Sequence, residues 1–274
     1  HHREHAPAVS PAQAAGSGVK VTVLGCGGSG GVPLIGGRWG ACDPEEPRNR
    51  RTRASILVET EAATLLVDTA PDLRFQLLSA GKWRIDAVLY THSHADHVMG
   101  LDDLRGVNKL IGRPIPVHAD GRTLANLQKR FDYAFQPLKA PGAFFRPVLE
   151  PNEITPGVAF EAAGVRVLPI LQDHGFMPSL GFRIGDFAYS TDVLDLDETA
   201  LAALGGVRVW IVGCFQAAPH KTHAHLDRVL GWVDRLKPER TVLTHMGESF
   251  DYRALAAALP EGVEPGFDGL ELVV

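Results

Sequence analysis

The order of apolar segments predicts an α/β fold, a four-layer αββα sandwich of two mixed β-sheets. Strands lead early and helices intersperse throughout. That order fits two sheets packed face to face with helices outside better than a doubly wound parallel sheet. No fixed-period repeat and no linker divides the chain, so residues 19–274 are expected to form one domain. The 274 residues are 45% hydrophobic and 22% charged. A chain of that size buries a large core without a disulfide or metal staple.

Residues 1–18 hold no hydrophobic signal core and read as a disordered leader. His1 and His2 read as the remains of a purification tag and are set aside with His5. Order begins at Val19, where VKVTVL is a strand. The following GCGGSGGVPLIGG is too glycine-rich for regular structure, and ACDPEEPRNRRTR is a charged loop. ASILVE and ATLLVD form two strands joined by a turn around Thr60 and Glu61. Residues 72–80 carry the apolar spacing of a short helix, capped by Asp72 and stopped by Gly81. IDAVLYT and IPVHA are strands, the second followed by a helix near 121–131. Residues 144–190 hold several strands broken by Pro and Gly: FFRPVLE, VAFEAA, VRVLPIL, SLGFRI and DFAYS. In the last third, helices near 197–204, 226–236 and 252–258 alternate with VRVWIVG, RTVLTH and LELVV.

The balance of 27 Lys and Arg against 32 Asp and Glu argues against a protein that clamps a long phosphate backbone. Three scattered cysteines, Cys26, Cys42 and Cys214, with no C-x-x-C, fit neither a disulfide framework nor a closed cysteine zinc site. They suit a reducing compartment, so a cytoplasmic location is expected. No apolar run approaches the ~20 residues of a membrane helix.

The informative segment is Thr91-His92-Ser93-His94-Ala95-Asp96-His97, at the end of a strand. Three histidines and an aspartate within six residues have no packing rationale there. Imidazole nitrogen and carboxylate oxygen suit a divalent metal such as zinc or manganese. His174, Asp192 and His245 each follow an apolar strand, where α/β sheets place ligands. Taken singly, each has a plainer reading, a hydrogen-bonded surface histidine or a helix N-cap. Together they make five histidines and two aspartates, too many for one tetrahedral ion. The set suits two ions roughly 3.5–4 Å apart that share a carboxylate and an activated water.

HSHADH resembles the H-x-H-x-D-H signature of the metallo-β-lactamase superfamily, and LLVDTA resembles its strand-end Asp motif. The resemblance spans residues 19–274. It implies that His92, His94 and His174 hold one metal and that Asp96, His97 and His245 hold the other, with Asp192 bridging. It implies a supporting role for Asp68, whose plainer reading as a turn residue is equally good. LGCGGSGGVP, PRNRRTRASILVE, THAHLDRVL and LTHMGESFDY with GFDGLEL resemble the phosphoribosyl 1,2-cyclic phosphate phosphodiesterases and their relatives. The expected partner is thus a small phosphodiester, cyclic or nucleotide-like, with two divalent ions as cofactors, no membrane, and a homodimer left open.

The candidate catalytic residues are Asp96 and His223. In the resembling enzymes a histidine matching His223 assists catalysis, and phosphodiester cleavage expels an oxygen that a nearby imidazole can help depart. His220 reads as part of a polar lead-in to the next helix, and His225 is left open. The resembling enzymes hold a structural zinc on cysteines after the GVP segment. Here only Cys42 remains, and Glu248 stands at a matching late position, so no structural zinc is expected. Cys26 and Cys214 read as small core residues. The glycine-rich turn reads as backbone passing close to the site. Arg48, Arg50, Arg51 and Arg53 read first as a solvated loop balanced by Glu45 and Glu46, and second as a rim for a phosphate.

Three rivals stand beside the phosphodiesterase. A tRNase Z-like endoribonuclease shares the metal motifs, but the acidic balance and the lack of a long Gly/Pro-rich insertion argue against it. A thioester or lactone hydrolase would not need His223. A non-catalytic metal- or nucleotide-binding protein is disfavoured by the complete ligand set.

Overall fold

The computed structural model of the chain describes residues 18–140, 142 and 144–274. The leader expected over residues 1–18 lies, up to residue 17, outside the described residues. The rest builds two seven-stranded sheets. In the first, β1 (Lys20–Gly25), β2 (Ser55–Glu59), β3 (Thr64–Val67), β4 (Ala87–Leu89), β5 (Ile115–Ala119) and β6 (Leu149–Glu153) run in order, with β14 (Glu271–Val273) beyond β1. In the second, β7 (Phe160–Ala162), β8 (Val165–Asp173), β9 (Pro178–Ile184), β10 (Phe187–Ser190), β11 (Val209–Gly213), β12 (Arg240–Thr244) and β13 (Val263–Pro265) follow one another.

Both sheets are mixed in the same way. β14-β1-β2-β3 and β7-β8-β9-β10 pair antiparallel. β3-β4-β5-β6 and β10-β11-β12-β13 pair parallel. The period-2 alternation of strands sorts side chains to two faces. Ile56 and Val58 of β2 join a cluster with Ile170, Phe182, Ile211 and Trp210 of the second sheet. Leu57, between them, joins Leu66, Val88 and helix residues Leu73, Leu104 and Leu127 on the other side. Helices α1 (Leu73–Ala80), α3 (Leu104–Ile111) and α4 (Gly121–Arg130) therefore cover the outer face of the first sheet. Each such buried Leu contributes about 2 kcal/mol. Among the described residues, no helix is long and apolar enough to cross a membrane.

Several elements depart from the sequence reading. Helix α3, the short α2 (Ala95–Val98) and strand β13 were not expected. Acidic residues 102–103 and mid-helix Gly106 mask the Leu104, Val107, Ile111 spacing that α3 buries against the sheet. FFRP is not a strand; β6 starts at Leu149. Asp72 stands at the start of α1 without capping it by its side chain. Its carboxylate instead accepts the Arg53 backbone N–H at 2.9 Å and pairs with the Arg53 guanidinium at 3.0 Å.

Candidate metal centre

The parallel halves carry the chemistry at their carboxyl ends. Asp68 directly follows β3, His92 stands three positions past the end of β4, Asp192 two past the end of β10, and His245 directly follows β12. His174 comes directly after the antiparallel β8. Asp68, Asp192 and His245 hold left-handed backbone, with φ of 63°, 50° and 53°. Non-glycine residues adopt that region at a cost of about 1–2 kcal/mol, tolerated where the surroundings over-determine it. The sharp turn is what swings each side chain inward at a strand end.

The local sequence arranges the histidine segment. His94 is extended at the N-cap of α2, and the helical turn then carries Asp96 and His97 to a second group. Asn126 and Arg130 of α4 donate to the Ser93 hydroxyl at 3.0 Å and the Ser93 carbonyl at 2.6 Å, which pins the loop.

All seven side chains converge. His92, His94, His174 and Asp192 form one group, and Asp96, His97, Asp192 and His245 form another, with donor atoms in each within 4.8 Å of one another. Asp192 is common to both. Its Oδ2 lies 3.6, 3.4 and 3.4 Å from the Nε2 atoms of His92, His174 and His245, and its Oδ1 lies 3.0 Å from His97 Nε2. Asp96 Oδ2 lies 3.1 Å from His97 Nε2 and 3.4 Å from His245 Nε2. His94 Nδ1 lies 3.0 Å from His92 Nε2 and 3.3 Å from His174 Nε2.

The outward ring nitrogens of His92, His97 and His174 are anchored, which fixes their inward ones. His97 Nδ1 donates to Asp68 Oδ2 at 2.7 Å, and His174 Nδ1 donates to the Thr222 carbonyl at 2.8 Å. Thr91 Oγ1 donates to Asp68 Oδ2 at 2.7 Å, so the same oxygen accepts from His92 Nδ1 at 2.8 Å. Asp68 thereby braces one histidine from each group. The structure favours the supporting role for it over a turn residue.

The donor set fits divalent cations. His97 Nε2 is buried and lacks a hydrogen-bond partner, yet it faces two carboxylates at 3.0–3.1 Å. With its proton on Nδ1, this is a lone pair against anionic oxygens, which calls for a positive charge between them. A proton on Nε2 would answer the same demand as a cation: burial opposes a charged His97, but Asp192, Asp96 and Asp68 outweigh it and raise its pKa well above the ordinary value. Burial likewise pushes the Asp96 carboxyl up, while His97 and His245 hold it far below the usual carboxylate range.

A cavity of about 380 Å³ opens on this cluster, lined by Ser29, His94, Asp96, Phe215, His220 and His223 among others. His223 stacks on His245 with ring centroids 4.7 Å apart and lies 5.1 Å from His174. Burial, then the neighbouring His245, lowers its pKa to about 3. A Cβ on Gly28 or Gly247 would stand 2.9 or 2.8 Å from the Phe215 ring, so both glycines make room for that side chain. The glycine-rich turn does pass close to the site.

His220 corrects the sequence reading. It is not a mere helix lead-in but lines the cavity, 5.1 Å from His223. Ser29 and Phe215 were missed; only the glycine-rich turn and the strand end hinted at them. His225 is the N-cap of α6 (Leu226–Leu236), without a side-chain capping bond, and is not among the cavity residues.

Arg48, Arg51 and Arg53 are tied into the fold, while Arg50 is exposed over the Trp39 ring. Glu46, buried rather than solvated, pairs with Arg48 at 2.7 Å and Arg253 at 2.6 Å. Arg51 is buried and donates to the Gly247 carbonyl at 3.0 Å. Cys42 Sγ faces the Phe250 carbonyl at 3.2 Å and Arg51 Nη1 at 3.7 Å.

Comparison with known proteins agrees with this architecture. The model of the Beta-lactamase superfamily domain matches residues 63–246. An octanoyltransferase of Porphyromonas gingivalis is 33% identical over 93% of this chain, which spans 52% of that protein's length. A ribonuclease Z of a Mycobacterium species is 29% identical, covering 81% of this chain and 90% of the relative. The crystal structure of a diphosphatase from the PhnP family superposes with a TM-score of 0.84 at 33% identity, covering 93% of this chain and 96% of that one. On the family match and this fold, the chain belongs to the metallo-β-lactamase superfamily.

Proposed function

We propose that this chain is a dinuclear hydrolase that cleaves a P–O bond in a small phosphodiester, cyclic or nucleotide-like. The observation that carries the reading is Asp192, the carboxylate common to both ligand groups: its Oδ2 lies 3.4 Å from both His174 and His245, and its Oδ1 lies 3.0 Å from His97. His92, His94, His174 and Asp192 would hold one divalent ion, and Asp96, His97, His245 and Asp192 the other. Zinc and manganese both suit imidazole and carboxylate donors. When bound, such a pair lowers the pKa of a shared water toward about 7 and offsets charge on phosphoryl oxygens.

The chain's own residues supply the rest. A cavity of about 380 Å³ is in the range of small-molecule sites, which favours a compact substrate over a folded RNA. His223, with its pKa lowered to about 3, is neutral near pH 7 and acts as a hydrogen-bond donor to the departing oxygen rather than as an imidazolium. Its stacking on His245 holds it beside the proposed ion site. Likeness to the diphosphatase over nearly both full lengths supports phosphorus chemistry.

A second reading has its own observation. The octanoyltransferase relative favours an acyl substrate. One panel separates the two: metal-loaded protein with bis(p-nitrophenyl) phosphate, a cyclic nucleotide, a diphosphate, an octanoyl thioester and a lactone. Turnover of the phosphodiesters is expected. Turnover confined to the thioester or lactone refutes the phosphodiester reading. Cleavage of precursor tRNA alone, with affinity falling steeply as salt rises, would assign the nuclease instead.

A further inference from the structure

We propose that His220 is a substrate-binding residue whose Nε2–H donates to an anionic phosphoryl oxygen. This rests on the phosphodiester reading above. It follows from three contacts that set the ring's position and its tautomer.

The Thr222 backbone N–H donates to His220 Nδ1 at 3.1 Å. An imidazole nitrogen that accepts a hydrogen bond carries no proton, so the ring proton sits on Nε2. The Thr222 hydroxyl, 3.3 Å from the same nitrogen, is then a second donor to it. Nε2–H is left as the ring's donor, in a side chain that lines the cavity over the metal centre.

The ring is also held in place. Phe215 meets it edge-on with centroids 5.3 Å apart. Phe215 itself is wedged between Gly28 and Gly247, where neither position has space for a Cβ. Ring and prop therefore move together or not at all.

Thr222 is a bracket between this donor and the metal centre. Its N–H fixes His220, and its carbonyl accepts from His174 Nδ1 at 2.8 Å. One residue thus orients a proposed metal ligand on one side and a proposed substrate donor on the other. His223, next in sequence, is left for the leaving oxygen. The assignment divides the labour: His220 binds a non-leaving oxygen in ground and transition state alike, whereas His223 acts on bond cleavage.

Uniform binding of this kind predicts a change in KM rather than kcat. His220→Ala should raise KM for a phosphodiester roughly tenfold, with kcat within about threefold. His220→Gln restores an N–H at similar reach and should recover most of the loss. Two readouts do not depend on turnover. In the metal-free protein, nitrogen-15 imidazole shifts should report a protonated Nε2 and a bare Nδ1 for His220. In the metal-loaded protein, calorimetry should find inorganic phosphate bound roughly tenfold more weakly by His220→Ala than by the unaltered chain, with equal metal content.

A protonated Nδ1 overturns the proposal, as does unchanged phosphate affinity in His220→Ala. A loss that Gln fails to restore assigns a structural role and overturns it too. If the unaltered chain turns over thioesters and no phosphodiester, the substrate reading fails by itself; phosphate affinity still decides whether His220 is an anion donor.

Discussion

Replacing Asp68 with Asn tests whether one buried carboxylate braces both halves of the metal centre. Asp68 is fully buried and accepts from the Thr91 N–H at 2.8 Å, the Thr91 hydroxyl at 2.7 Å and His97 Nδ1 at 2.7 Å. An Asn amide can keep the first contact. Its NH2 then meets two donors, where Oδ2 had accepted from both. Hydrogen bonds to a charged group are worth about 1.5–3 kcal/mol each. Burial, however, raises the Asp68 pKa, so part of that gain is already spent on desolvation. The remainder acts through tautomer: an amide donating to His97 Nδ1 moves the ring proton to Nε2, the atom that faces Asp96 and Asp192. Outer partners of this kind alter metal affinity by about 10–100-fold, or about 1.4–2.8 kcal/mol. The assay is a zinc titration against a competing chelator, with circular dichroism to verify folding. Asp68→Asn that binds two ions within about twofold of the unaltered chain refutes the bracing argument.

His223→Ala should lower kcat by roughly 100-fold while metal content stays at the unaltered level; loss of metal would instead make His223 a ligand. Gly247→Ala places a Cβ 2.8 Å from the Phe215 ring and should reduce turnover about tenfold by moving the His220–His223 wall. Phe215→Leu combined with it should recover part of that loss, and strict additivity of the two would discount the steric route. Chelation should lower the melting temperature. Two sites at 100-fold excess over Kd stabilise by about 5 kcal/mol, which is roughly 10 °C or more for a domain of this size. An unmoved melt would argue against cation binding by the folded state. His118, buried and stacked on Phe160, has its pKa lowered to about 4 by desolvation. The unfolded chain takes up that proton near 6.5 and the folded chain does not, so stability falls as pH drops from about 6.5 toward 4. Urea unfolding should show His118→Gln to be less acid-sensitive by about 1 kcal/mol at pH 5, after screening by nearby solvent; equal sensitivity of the two chains removes His118 from the account.

What was legible in the linear chain was whatever a short stretch of backbone fixes. The H-x-H-x-D-H cluster needs only a strand end and one helical turn to present its side chains, so its chemistry reads directly from spacing. The continuous apolar runs of β2 and β3 likewise declare two buried faces, and with them a sheet covered on both sides. Helix α3 escaped because packing against the sheet overrides its acidic start and its glycine. Everything that depends on meetings across the fold stayed hidden. Asp192 could be an N-cap until the strand crossover beside β11 sets it between two histidine groups. Asp68 could be a turn residue until His97 and Thr91 close on it. His220 and His225 look alike in sequence, five residues apart; one lines the cavity and the other starts a helix. The reason is geometric: ligand sets are defined by distances of 3–4 Å between residues up to 149 positions apart, and only the packing of two sheets sets those distances.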